Sequence, residues 1–401
     1  MKVLLADALP DAAVERLEAA GDEVTRMPEL TADTLRDHIA GFEVLIVRST
    51  KVTAEALDAA DSLGLIVRAG AGTNTIAADR AAELGVYVCN VPGKNALAVA
   101  ELTMGLLIAI DRHIAAGTAD LRSGAWNKKA YSKADGLFGR RMGIIGVGDI
   151  GIATAARAWA FGIDVVAVAK PGRSDSAVAR AEAAGIEFVD TLDELLATSD
   201  IVSLHVPGSA DTKGMVDAAF LAKMRNGAIL LNTSRGDVVD EAALIEAMDT
   251  RGIRAGLDVY ANEPGSGTAD FDSALARHPN VVGTHHVGAS TSQAQAAVTD
   301  GTIDTVQAYR VGSPINCVNL NPVPTRAATL TVRHHDRVGV LASVLQVLRK
   351  EELNVSNMQN RVFAGSKAAV ASIDVGHLPS DEIVAEIQAL ADVIYIAVTP
   401  A

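Results

Sequence analysis

The stretch Gly146-Val147-Gly148-Asp149-Ile150-Gly151 constrains this chain more than any other. Residues 141–145 before it are short and apolar enough for a buried strand, and residues 152–160 after it are rich in strong helix formers. Gly162 closes that segment, and residues 164–169 read as a second buried strand. The outcome is a strand-turn-helix-strand unit with G-x-G-x-x-G at its turn. The first glycine allows the tight turn, the second lets backbone approach a pyrophosphate, and the third lets helix pack on strand. The free N–H groups of the helix then face the anion. An ordinary βα turn can also need glycine, but flanked in this way the spacing predicts a dinucleotide site.

A chain of 401 residues is too long for one core and predicts two or three domains. Its net charge of −14 argues against nucleic acid or an anionic membrane as a partner. An anionic substrate would therefore need positive charge concentrated locally. Cys89 and Cys317 are the two cysteines. They imply no disulfide framework, suit a reducing cytoplasmic setting, and read as packing residues. No metal site is expected. The first residues lack the apolar run of a signal peptide and read as a strand. The longest apolar stretch, 96–110, contains Glu101 and is too short to span a bilayer, so no membrane partner is expected.

The chain before the fingerprint alternates strands at 3–6, 43–47, 65–68 and 86–90 with helices at 11–20, capped by Asp11, and 53–60. Such alternation means a parallel sheet flanked by helices. It has no phosphate loop, so it is not the nucleotide half. Residues 96–113 read as one helix, apolar almost all round and buried between domains or subunits. After the fingerprint, strands at 201–205, 228–232, 255–259 and 281–284, with helices at 218–223 and 241–249, complete a doubly wound sheet. A helix at 292–311 returns the chain to the first domain. Three prolines within 313–325 mark a linker. The remainder reads β-α-β-β-α-β, which is ferredoxin-like. The expected fold is thus α/β. A Rossmann domain (97–286) accompanies a discontinuous flavodoxin-like substrate domain (1–96 with 287–320), a linker (321–327) and a ferredoxin-like α+β domain (328–401).

In such a pair of domains the substrate lies beyond the carboxyl ends of the strands. Three polar residues stand there: Arg235, Glu263 and His286. An arginine fork can grip a carboxylate, a histidine can take a hydroxyl proton as hydride leaves, and a glutamate can hold the histidine's tautomer. Each also has a plain reading: a surface ion pair, a turn residue before Pro264, a satisfied histidine.

The chain resembles the D-isomer-specific 2-hydroxyacid dehydrogenases along essentially its whole length. The markers are Val47-Arg48-Ser49, Arg68-Ala69-Gly70-Ala71-Gly72, Asn95 with Ala100-Glu101-Leu102-Thr103, the fingerprint, and Leu204-His205-Val206-Pro207. They continue with Asn232-Thr233-Ser234-Arg235-Gly236, Leu257-Asp258-Val259-Tyr260 with Glu263-Pro264, and His286-Val287-Gly288-Ala289-Ser290. Within the family it is most similar to the branch that oxidises 3-phosphoglycerate and carries a C-terminal ACT domain. The resemblance implies Arg235, Glu263 and His286 as the catalytic set, with His285 standing where proline is usual. It implies cofactor contacts at Gly146, Gly148, Asp149, Ile150, Gly151, Lys170, His205, Val206, Pro207, Thr212, Thr233, Ser234, Arg235, Asp258, His286 and Gly288. Implied substrate contacts are Arg48, Ser49, Gly70, Ala71, Asn74, Asn95 and Arg235, with Lys128 for a phosphate.

The implied cofactor is NAD. The family's ribose-binding acid would fall at Ala169, however, and Lys170 and Arg173 follow, which keeps NADP open. In the last domain His334, Asp336 and Asn354 match positions that bind L-serine between two ACT domains. The alternative there is a purely dimerising module. A homodimer or homotetramer is implied. Two other readings stand beside this one: a glyoxylate or hydroxypyruvate reductase, and a dinucleotide-sensing regulator without catalysis.

Overall fold

The computed structural model describes residues 1–264, 268–320 and 326–401. The chain forms two compact units, Met1–Asn319 and Leu320–Ala401. In the first unit β1 (Lys2–Leu5), β2 (Glu23–Arg26), β3 (Val44–Val47), β4 (Leu65–Arg68) and β5 (Tyr87–Asn90) form a parallel sheet in the order β2-β1-β3-β4-β5. This is the flavodoxin-like order. Both faces are covered by apolar clusters, one including Val3, Leu5 and Ile46, the other Leu4, Leu45 and Ile66. Adjacent residues go to opposite faces, so a sheet buried on both sides reads as an unbroken apolar run.

Seven further parallel strands build the second sheet: β6 (Arg141–Ile145), β7 (Asp164–Val168), β8 (Ile186–Val189), β9 (Ile201–Leu204), β10 (Ile229–Asn232), β11 (Arg254–Leu257) and β12 (Val281–Gly283). Their order is β12-β11-β10-β9-β6-β7-β8. The direction of winding reverses between β6 and β9, and the glycine fingerprint follows β6. It therefore sits at the switch point where such sheets open a crevice. The helix Ser292–Arg310 packs back on the first sheet, burying Ile303 and Val306 in its cluster. Buried Asp22 holds this return, accepting from Arg310 at 2.5 Å and from the N-terminal ammonium at 3.1 Å.

The second unit contains β13 (Ala328–His335), β14 (Val355–Val362), β15 (Ala368–Val375) and β16 (Val393–Pro400) with helices Val340–Lys350 and Asp381–Gln388. The sheet is antiparallel, in the order β14-β15-β13-β16. That is the ferredoxin-like arrangement expected. Of the expected linker 321–327, residues 321–325 lie outside the described residues.

Several local expectations fail. Asp11 does not cap the first helix: Pro10 holds the cap position, and Asp11 is the first helical residue, bonded to Arg26 at 2.7 Å. The expected helix 96–113 ends at Asp111. His113, at φ +52, turns the chain into a second helix, Ile114–Arg122. Nor is the first of these helices buried all round, since Leu97, Glu101 and Gly105 form an exposed stripe one turn apart. The structure adds strand β2, the helix Ala78–Glu83 and everything between β7 and β9, which the sequence pattern does not announce. That last stretch holds the helices Asp175–Ala183 and Leu192–Thr198 around β8. These elements are short and polar, so tertiary pairing decides them rather than apolar period.

Two fingerprint glycines give a contrasting test. Gly146 sits at φ +102, and a Cβ there would run into the His205 carbonyl. Gly148 faces open space, with nothing within 4 Å of such a Cβ. Gly146→Ala should cost about 2–4 kcal/mol from strain and overlap together. Gly148→Ala should leave stability nearly unchanged. Urea unfolding of the two variants measures the difference.

Candidate active site

The site begins with a buried carboxylate. Asp258 follows β11 and is 1% exposed. Its Oδ1 accepts from the Thr284 hydroxyl at 2.6 Å and the Val287 amide at 2.9 Å, and its Oδ2 from the Gly288 amide at 2.8 Å. Its backbone carbonyl accepts from the His286 amide at 2.8 Å. Four bonds thus fix the loop after β12. They hold His286 at φ +54, a conformation that a residue with a side chain adopts only when its surroundings impose it.

From this position His286 Nδ1 meets Glu263 Oε2 at 2.6 Å. Glu263 Oε1 in turn accepts from the Tyr260 amide at 2.8 Å. Burial alone would raise the Glu263 carboxyl, but the bonds from His286 and Tyr260, with the charges of His286 and Arg235, hold it below the usual range. The ionised carboxylate can only accept, so Nδ1 carries the hydrogen and Nε2 is the free atom of the ring. The Glu263 bond raises the His286 pKa, against partial desolvation and the nearby Arg235. His285 is exposed and outside this network.

Arg235 arrives from the opposite side. Buried Asn232 shapes its turn, accepting from the Ser234 amide at 3.0 Å and hydroxyl at 2.7 Å and donating to the Arg235 carbonyl at 2.9 Å. The guanidinium donates to the Ser234 carbonyl at 2.7 Å and reaches the 71–74 loop beyond β4. There a Cβ on Gly72 would come within 2.9 Å of it. Arg235 therefore spans the crevice between the two sheets.

Two adjoining cavities meet at His286, Arg68, Asn95 and Ala289. The larger, about 770 Å³, is lined by Ile150, His205, Val206, Pro207, Thr233, Ser234, Arg235, Asp258 and Gly288 from the cofactor set, and by Ala71 and Asn74 from the substrate set. The smaller, about 190 Å³, lies beyond His286 and is lined by Arg48, Gly70 and the Gln295 side of the return helix. These residues fit a dinucleotide: the open face of Gly148 leads to the helix Asp149–Ala160, and the larger cavity continues to His286. His205 is held down at about 4 by burial, so its ring is neutral. Its Nε2 pairs with Ser203 at 2.8 Å, and its enclosed Nδ1 has no partner among the described residues.

Other expected residues sit differently. Asp149 turns its carboxylate to Arg180, at 2.8 Å. Thr212 donates to the Pro207 carbonyl at 2.6 Å and accepts from the Ser209 amide at 3.0 Å, so it shapes its own loop rather than lining the cleft. The Lys170 side chain makes no hydrogen bond or ion pair among the described residues, and its carbonyl accepts from the Arg173 amide at 3.4 Å. Arg173 stacks over the Phe188 ring, 4.8 Å from its centroid. The Ser49 hydroxyl and amide are committed to Asp7, at 2.6 and 3.1 Å, as are the amides of Arg48 and Thr50 at 2.7 and 3.0 Å. Burial pushes Asp7 up, but these bonds outweigh it and hold it low. Lys128 is not brought to the crevice; it lines a separate hollow with Trp126 and Tyr131.

Arg68, which like Arg48 ends an apolar strand facing the cleft, is not among the implied contacts, yet it lines both cavities. Its guanidinium lies over Gly70, whose missing side chain makes the room. Burial, then Arg235 and Arg48, lower its pKa, and its enclosed Nε has no partner among the described residues. Asp7, the acid just past β1, was missed as the anchor of the 48–50 loop.

In the second unit His334 is 2% exposed, and both ring nitrogens are engaged, Nδ1 with the His335 carbonyl at 2.8 Å and Nε2 with Asn360 at 3.2 Å. Asp336 is exposed just past the end of β13. Asn354 precedes β14, whose first residue aligns with Val375 and so with Ala328, at the start of β13. Within one chain, Asn354 therefore stands at the opposite end of the sheet from His334 and Asp336, some eight residues or roughly 26 Å away.

Among the described residues no group of His, Cys, Asp and Glu could hold a metal ion, and no helix is long and apolar enough to cross a membrane. Residues 104–288 match the family described as D-isomer specific 2-hydroxyacid dehydrogenase, NAD binding domain. The D-3-phosphoglycerate dehydrogenase of Methanocaldococcus jannaschii is 38% identical over 331 residues, 81% of this chain and 60% of that protein. The hydroxypyruvate reductase of Thermotoga maritima is 42% identical over 271 residues, 67% of this chain and 85% of that protein. The crystal structure of the TT0316 protein of Thermus thermophilus superposes with a TM-score of 0.70 at 34% identity, covering 79% of this chain and 100% of that one. The chain spans 60–65% of the length of several curated phosphoglycerate dehydrogenases that it matches. It belongs to the D-isomer specific 2-hydroxyacid dehydrogenases and carries their NAD-binding domain.

Proposed function

We propose that the protein is a D-3-phosphoglycerate dehydrogenase, oxidising the C2 hydroxyl of 3-phosphoglycerate to give 3-phosphohydroxypyruvate, the first step of L-serine biosynthesis. Residues 1–96 with 287–320 hold the substrate, 97–286 the dinucleotide, and 328–401 form an assembly and control module. NAD, when bound along the larger cavity, supplies the hydride acceptor. Arg235 grips the carboxylate and C2 oxygen, and His286 Nε2 takes the hydroxyl proton. Glu263 keeps Nδ1 protonated and stabilises the imidazolium that forms.

The observation that carries the phosphorylated substrate is the trio of arginines. One carboxylate needs one fork, which Arg235 supplies. Arg48 and Arg68 remain at the small cavity beyond His286, with Asp7 the nearby acid, its Oδ2 already committed to three amides and its Oδ1 to the Ser49 hydroxyl. A second, strongly anionic group on the substrate balances them. The Thermotoga relative supports hydroxypyruvate reduction as the second reading, since this chain covers most of its length. We read the effector residues as a serine site that forms only when a second copy lies end for end beside the first. A homodimer or homotetramer in a reducing, cytoplasmic setting completes the proposal.

Steady-state rates with 3-phosphoglycerate, glycerate and hydroxypyruvate, each with NAD and NADP and with or without L-serine, test these readings. Comparable kcat/KM on glycerate would move the assignment to the reductase. The NADP arm reports on Ala169, Lys170 and Arg173. Arg68→Gln should raise KM for the phosphorylated acid about tenfold or more while sparing kcat, the worth of a charge-assisted bond.

His286→Ala should lower kcat by about 10²–10⁴-fold. Cofactor affinity, read by fluorescence titration, should hardly change. The His286 pKa is raised, and only the neutral ring accepts a proton. Oxidation should therefore fall away as pH drops through a value above the ordinary histidine pKa of about 6.5. Reduction should instead fail as pH rises through it. Glu263→Gln should shift the limb of the pH profile downward; an unmoved limb would show that another group titrates.

A further inference from the structure

The two cysteines of the chain face each other. Cys89, in β5, and Cys317, in the segment after the return helix, form an isolated antiparallel bridge. The backbone bonds flank them: the Asn90 amide donates to the Asn316 carbonyl at 3.2 Å, and the Val318 amide to the Val88 carbonyl at 2.8 Å. Neither cysteine exchanges a backbone bond with the other, so theirs is the close, non-hydrogen-bonded kind of pair. Cα atoms in such a pair lie about 4.5 Å apart with side chains on one face. That falls inside the separation of about 4.4–6.8 Å that a disulfide spans without backbone movement.

The register is doubly secured. Asn319 accepts from the Val88 amide at 2.9 Å and donates to the Val86 carbonyl at 2.8 Å. The same Asn319 oxygen accepts from the Cys317 thiol at 3.2 Å, fixing that side chain. Both thiols are free, Cys89 fully buried in the first sheet's cluster and Cys317 half-buried against it. Only Cys317 is open to a reagent.

We infer that Cys89 and Cys317 are a redox-active dithiol, which closes to a disulfide that locks residues 316–319 onto the edge of β5. The oxidant is a small-molecule or protein disulfide. The Cys317 thiolate attacks one of its sulfurs, the S–S bond breaks, and one thiolate leaves. Cys89 then gives its proton to solvent and attacks the Cys317 sulfur, expelling the second thiolate. Two electrons pass to the oxidant, and the two thiol protons are released and can be taken up by the leaving thiolates. Burial, then the neighbouring Cys317, push the Cys89 thiol up to about 12, so the second step is slow and accelerates with rising pH. The lock closes a long loop and fixes the last residues before the second unit begins at Leu320.

The test uses the whole 401-residue chain incubated with oxidised glutathione, then alkylated and weighed intact. The expected product is two hydrogens lighter, has no alkylatable thiol and runs as a single chain on a non-reducing gel. It should unfold several degrees higher than the reduced protein, and dithiothreitol should reverse every change. Cys89→Ser should stop at one glutathione on Cys317 with no gain in unfolding temperature. The idea fails if the folded wild type keeps both thiols, if it stops at the mixed disulfide, if chains become cross-linked, or if oxidation leaves the unfolding temperature unmoved.

Discussion

The site rests on one buried charge. Asp258 is sunk behind β11, where an uncompensated carboxylate would be costly, and its compensation comes from the Thr284 hydroxyl and the amides of Val287 and Gly288. Those bonds give the loop after β12 one shape. The His286 backbone is pinned in a left-handed conformation, which sets its ring within hydrogen-bond reach of Glu263. The acid first assigned to the cofactor is thus, within the chain, the part that places the base.

The crevice sets charge against charge. The chain carries −14 overall, yet Arg48, Arg68 and Arg235 converge where the two sheets face each other. Their mutual repulsion is visible in Arg68, whose guanidinium is destabilised first by burial and then by the other two. A pocket that holds cations against their own preference is poised for an anion, and the folded backbone over Gly70 provides the space.

Much of this was legible in the sequence. The fingerprint located β6, its helix and the switch point, because Gly146 and Gly151 answer to close backbone approaches that leave no room for a side chain. Arg235, Glu263 and His286 each followed a strand end, the one place where an α/β sheet exposes side chains to a crevice. The elements between β7 and β9 stayed hidden because β8 alternates Ile186, Glu187, Phe188 and Val189 over only four residues. Ser49 and Thr212 are contacts that the family resemblance implies, and their hydroxyls are engaged within the chain. Only the fold reveals that Asp7 and the Pro207 carbonyl claim them. Lys128 illustrates the limit, since its distance from the crevice depends on a turn at His113 that no residue pattern announces. The separation of Asn354 from His334 likewise depends on strand register.

The return helix has a consequence for how the protein is made. The first sheet emerges first from the ribosome, but Ile303, Val306 and the strap through Cys317 that finish its cluster and edge are among the last parts of the first unit to appear. The seven-stranded sheet is contiguous in sequence and has its whole core once β12 is synthesised. Loop closure over so long an interval is slow, and the exposed edge of β5 waits uncovered meanwhile. Nascent chains of this protein therefore complete their middle before their beginning.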